Sequence, residues 1–160
     1  MAGGECSETG PSNEVWVFDT QTLQWSRPTV KGQSPAAREM HVAVHVQGVG
    51  LVIHGGRADG GAVASDVHIL NTDTLQWGAR HRTRFARCAH AAVAVSADRV
   101  LLLGGFTGEN VEGTVLVLNP STGEITTGEA TEYTQVISPS LKLSAKPPQR
   151  RARRPSTHRS

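Results

Sequence analysis

Cysteine is nearly absent from this 160-residue chain: only Cys6 and Cys88 occur, far apart. Without a Cys-x-x-Cys spacing, a thiolate zinc site is not expected. Acceptor sequons for N-glycosylation are missing too, and Met1 to Pro11 is polar where a secretory leader would carry an apolar core. No run approaches the roughly 18 apolar residues of a membrane-crossing helix. Together these absences point to a reducing, cytoplasmic setting without a membrane partner. Aromatic residues amount to only 4%, with a single Tyr, Tyr133. From Tyr133 to Ser160 there is no acidic residue, but seven of the 16 basic ones; the rest of the chain then holds nine basic against 14 acidic. Body and tail therefore carry opposite net charge and act as different objects. Helical periodicity is lacking throughout the body.

Glycine, in contrast, is frequent and patterned. Pairs occur at Gly3-Gly4, Gly55-Gly56 and Gly104-Gly105, stepping by 52 and then 49 residues. Each pair is followed by a polar stretch, an apolar run and a polar hinge: Val15 to Asp19, Val67 to Asn71, Val115 to Asn119. Seven residues beyond Phe18, Leu70 and Leu118 stand Trp25, Trp77 and Ile125. Arg-x-x-His precedes the second and third pairs, as Arg38/His41 and Arg87/His90. A period near 50 built from short strands is the mark of stacked β-sheet blades.

Alternation places the strands. His41 to Val46 and Leu51 to His54 form a hairpin around Gln47-Gly48-Val49-Gly50, repeated as His90 to Val95 and Val100 to Leu103. Asp66 to Leu70 is a third strand and Leu75-Gln76-Trp77 opens a fourth. The fold class expected is all-β, with four antiparallel strands per period. An incomplete blade covers residues 1–30, a second 36–80 and a third 86–128, together a repeat region of residues 1–130. A basic, Arg/Pro/Ser-rich tail, residues 131–160, cannot bury enough apolar surface to order itself. Glycine pairs suit backbone that turns sharply against a neighbour. Asp19, Asn71 and Asn119 can cap the corner after the third strand. Trp25 and Trp77 are expected to glue the fourth strand to an adjacent blade.

These residues resemble Kelch repeats. Leu51-Val52-Ile53-His54-Gly55-Gly56 with Leu70 and Trp77 matches one repeat. Gly3-Gly4, Phe18 and Trp25 match a second, and Val100 to Gly105 with Leu118 a third in which Ile125 replaces Trp. Pro35, Arg38 and His41 are most similar to multi-Kelch proteins of the host cell factor and Rab effector type. The resemblance spans residues 3 to 127. It implies a β-propeller, of which this chain supplies about two and a half blades. A fragment of a longer product, self-packing through open blade edges, and a degenerate copy are the readings left open.

The function implied is a non-catalytic interaction module, an adaptor or scaffold whose partner is another protein. Rim loops 57–65 and 106–113 are the candidate docking elements, through Arg57, Asp59, Phe106 and Glu109. Arg38 and Arg87 either bind acidic peptide termini or hold loops through backbone carbonyls. His41, His45 and His54 lie on one hairpin without a carboxylate or Cys at ligand spacing, so no metal and no cofactor are expected. A Gly-x-Ser-x-Gly elbow and a phosphate-binding loop are both missing, which argues against an enzyme. The alternatives are a piece of a Kelch-propeller enzyme or a receptor for acidic peptide termini. Arg150-Arg151-Ala152-Arg153-Arg154-Pro155 reads as filler, as a nuclear localisation signal, or as a nonspecific nucleic-acid contact.

Overall fold

A computed structural model describes the backbone of residues 2–6 and residues 10–128 in full. The tail expectations fall outside the described residues. Every regular element described is a β-strand. Two four-stranded antiparallel sheets dominate. The first orders β5 (Val42–Val46), β6 (Gly50–His54), β7 (Asp66–Asn71) and β8 (Gln76–Arg82); the second orders β9 (Ala91–Ser96), β10 (Arg99–Leu103), β11 (Val115–Leu118) and β12 (Ile125–Gly128). Each is a meander, because its connections are short enough for neighbours in sequence to pair. The expected partial propeller of four-stranded blades is therefore what forms.

The first repeat is different. It consists of two separate hairpins, β1 (Ala2–Cys6) with β2 (Gly10–Val15) and β3 (Val17–Asp19) with β4 (Gln24–Ser26). Gly3 and Gly4 lie inside β1, where Gly4 pairs with Ser12, rather than at the end of a second strand. The sequence reading had not anticipated this hairpin. Among the described residues β3 pairs with β4 alone, so it is not the middle strand of a four-stranded sheet.

Alternation decides which residues join blades. Val42, Val46, Val52 and Val67 of the second repeat bury against Val100, Leu102, Leu116 and Leu118 of the third. The opposite face of the second repeat, with Ile53, Leu70 and Trp77, buries against Val15. β5 and β9 lie side by side. A single sheet cannot bury its own two faces, so the core forms only by stacking.

Backbone bonds stitch the same seams. Arg38 N donates to Ser12 O (3.2 Å), and the equivalent Arg87 N donates to Ala64 O (3.2 Å). Gly56 N donates to Arg87 O at 2.8 Å. Gly55 and Gly56 both have positive φ, 68° and 101°. A Cβ on Gly55 would collide with Arg87 O of the next blade. The corner residues act as expected: Asp19 Oδ1 accepts from Gln21 N and Thr22 N, Asn71 Oδ1 from Asp73 N and Thr74 N, and Asn119 Oδ1 from Ser121 N and Thr122 N.

One expectation is overturned by half. Trp77 is buried, but Trp25 is exposed, as are Phe18 and Trp16. A tryptophan glues an outer strand only when a preceding blade is there to receive it, and the first repeat has none among the described residues.

Candidate functional site

Arg38 and Arg87 fix the framework rather than the surface. The Arg38 guanidinium donates to Gly55 O (2.8 Å) and Ala36 O (3.0 Å), and pairs with Asp66 at 2.7 Å. Arg87 donates to Gly104 O at 3.1 Å and faces Glu112 at 3.6 Å. Each arginine therefore clamps the first glycine of its own repeat, seventeen residues on. Both are buried, with their guanidinium groups engaged by backbone carbonyls and carboxylates.

Asp66 is a hub that sequence reasoning missed. It accepts from both terminal nitrogens of Arg38, from His68 Nε2 (2.9 Å) and from Arg80 (3.2 Å). Burial alone would raise its carboxyl, but hydrogen bonds from His68 and Arg38, with the Arg38 charge, hold it well below the usual carboxylate range. Thr114 and Leu116 occupy the corresponding places in the third repeat, so the period carried no signal for this network. Beside it runs an open groove of about 420 Å³, lined by Ala62, Val63, Asp66, Arg80, Arg82 and Thr83 among others.

His54 and His90 form a second unanticipated pair, joining the two complete blades. His54 Nδ1 lies 3.0 Å from His90 Nε2, with the rings edge-on. Burial, and then the neighbouring His90, push His54 down to about 3; burial, Arg87 and His41 bring His90 to about 4. Both imidazoles are thus neutral near pH 7. His45 is exposed on β5, away from this pair. Among the described residues no three His, Cys, Asp or Glu side chains converge as metal ligands.

The rim loops are held at their bases and open at their tips. Arg57 bridges Glu39 on one side and Val63 on the other; at the equivalent place Phe106 bridges Cys88 and Val111. The Arg57 guanidinium pairs with the buried Glu39, its Nε donating to Oε1 at 2.7 Å, while the side chain remains partly exposed. Phe106 is exposed. Asp59 is exposed and its carboxylate accepts from Gly60 N, and Glu109 is exposed with its own N–H held by Thr107 Oγ1. Arg57 and Phe106 thus occupy one repeat position, on two neighbouring blades, with Asp59 and Glu109 beyond them.

Comparison with known proteins agrees with this architecture. The family model described as the KLHDC2/KLHL20/DRC7 Kelch-repeats domain matches residues 1–149. Kelch domain-containing protein 2 of Bos taurus is 35% identical over 101 residues, which is 61% of this chain and 24% of that protein. Kelch domain-containing protein 1 of Mus musculus is 33% identical over 106 residues, 64% of this chain and 26% of that protein. Acyl-CoA-binding domain-containing protein 4 of Arabidopsis thaliana is 36% identical over 106 residues, 64% of this chain and 16% of that protein. The chain spans about a quarter or less of the length of these relatives. Repeat spacing, four-stranded blades and the family match have one reading: this chain belongs to the Kelch-repeat family, whose domains generally serve as protein-interaction modules.

Proposed function

We propose that this chain is a non-catalytic docking module that holds a partner protein through the rim loops 57–65 and 106–113. One observation carries the reading: Arg57 and Phe106 stand at the same repeat position on adjacent blades, Phe106 exposed and Arg57 partly exposed beside its Glu39 partner, on backbone pinned by bridges at both sides. Anchors on a rigid base lose little conformational entropy on binding. Arg and an aromatic are also the residue types that dominate interface energetics. Asp59 and Glu109 flank them and set the sign of charge that a partner meets. These blades make up about a quarter of the relatives' length, so the surface proposed is that part of a propeller rim which they supply.

The test is quantitative recovery of binding proteins on the immobilised chain, compared with Arg57→Ala, Phe106→Ala and Glu109→Ala. Truncating a central anchor costs about 2 kcal/mol, roughly thirty-fold in affinity. A specific partner is expected to drop by that order with Phe106→Ala and Arg57→Ala, and less with Glu109→Ala. Equal recovery on all four proteins refutes the rim reading.

A further inference from the structure

The three repeats show one interface twice and its two halves once more, uncovered. Phe18, Leu70 and Leu118 are equivalent positions, as are Trp25, Trp77 and Ile125, and Trp16, His68 and Leu116. In the second and third repeats these side chains face the preceding blade. Leu70 is 2% exposed and Leu118 0%. Phe18, by contrast, is 40% exposed, and Trp25 53% against 5% for Trp77. Phe18 and Trp25 nevertheless pack as a tilted ring pair, 5.0 Å between centroids, so the first repeat presents a formed aromatic face.

The complementary half is at the other end. Val44, Val46 and His54 of the second repeat lie on the face that meets the third. Their equivalents in the third repeat are Val93, Val95 and Leu103. All three are exposed large hydrophobic side chains, around the buried Leu101. Exposed apolar side chains grouped on two faces of matching repeat geometry form an association surface.

We propose that the aromatic face of the first repeat (Trp16, Phe18, Trp25) docks on the valine–leucine face of the third repeat (Val93, Val95, Leu103) of a second copy of this chain. The geometry is the one by which the second and third repeats already stack within a chain. The contact is head-to-tail, so each copy offers one face and accepts at the other. It leaves loops 57–65 and 106–113 on the rim, and so does not depend on the docking function above.

Sedimentation velocity of the 160-residue chain over a range of micromolar concentrations tests this. The native chain is expected to pass from monomer to a species of at least two chains. Phe18→Asp/Trp25→Asp and Val93→Asp/Val95→Asp are each expected to stay monomeric, while their equimolar mixture returns a two-chain species, since each lacks only one face. A native chain that stays monomeric overturns the proposal. So does a mixture without a dimer, or association blocked by the aromatic variant alone, which would mean two aromatic faces meeting each other. Fluorescence of the native chain gives a readout without substitution. Trp77 is already buried, so a blue shift and loss of acrylamide quenching with rising concentration report Trp16 and Trp25; unchanged emission contradicts the contact.

Discussion

Gly55 and Gly104 have nearly the same backbone, φ 68° and 66°, but different neighbours. A Cβ on Gly55 meets a carbonyl of the next blade, whereas on Gly104 the nearest atom is Glu112 O at 3.6 Å. Gly104→Ala should therefore cost only the left-handed strain, about 1–2 kcal/mol. Gly55→Ala should cost clearly more, because Arg87 must move and its bond to Gly56 N is lost. Urea denaturation of the two variants checks the order. The His54–His90 pair makes a second prediction. The folded state keeps both neutral down to about 4, while unfolded histidine takes a proton near 6.5. Protons are therefore bound more by the unfolded chain in that window, and stability falls as pH drops from 6.5 toward 4. Arg87 and His41 beside the pair oppose its protonation, and Asp66 favours it weakly. His90→Gln should flatten that slope. Loss of the Asp66 ion pairs belongs to a lower window, since its carboxyl is depressed below the ordinary 3.8. The Arg38 and Arg87 clamps were legible as one of two readings, because both arginines recur at one position. The Asp66 hub and the histidine pair were not, since Leu116 and Leu103 stand where His68 and His54 do. A reading by period sees only what repeats.

At the level of the strand, the sequence pattern placed the first hairpin of both complete blades, the third and fourth strands of the second repeat, and the Asx-capped corners of all three repeats. It failed at the first repeat, where Gly3-Gly4 entered a hairpin of its own. The failure has a physical source: a strand's partners are set by what lies beside it, and alternation does not report a missing neighbour. The same reason explains why two tryptophans of one motif have opposite environments. Trp77→Ala should destabilise the chain by about 3–5 kcal/mol through the cavity it leaves against Val15, Ile53 and Leu70. Trp25→Ala should cost much less in dilute solution, where its ring is largely exposed and packs on Phe18. Thermal melts of both at low protein concentration give the comparison. Equal losses would contradict the placement of Trp25 on an open face.

On the scale of the whole molecule, stability is shared through blade-to-blade contacts, and the loops proposed above to dock a partner are pinned at their bases. Among the described residues, the second repeat is flanked on both faces, the third on one, and β3–β4 of the first is backed by no inner strand. Hydrogen exchange followed by mass spectrometry, at a concentration low enough to keep chains apart, measures this gradient directly. The account predicts slowest exchange in β6 and β7, intermediate exchange in β10 and β11, and fast exchange in β3–β4 and in the tips of loops 57–65 and 106–113. Protection of β3–β4 equal to that of β6 and β7 would contradict it.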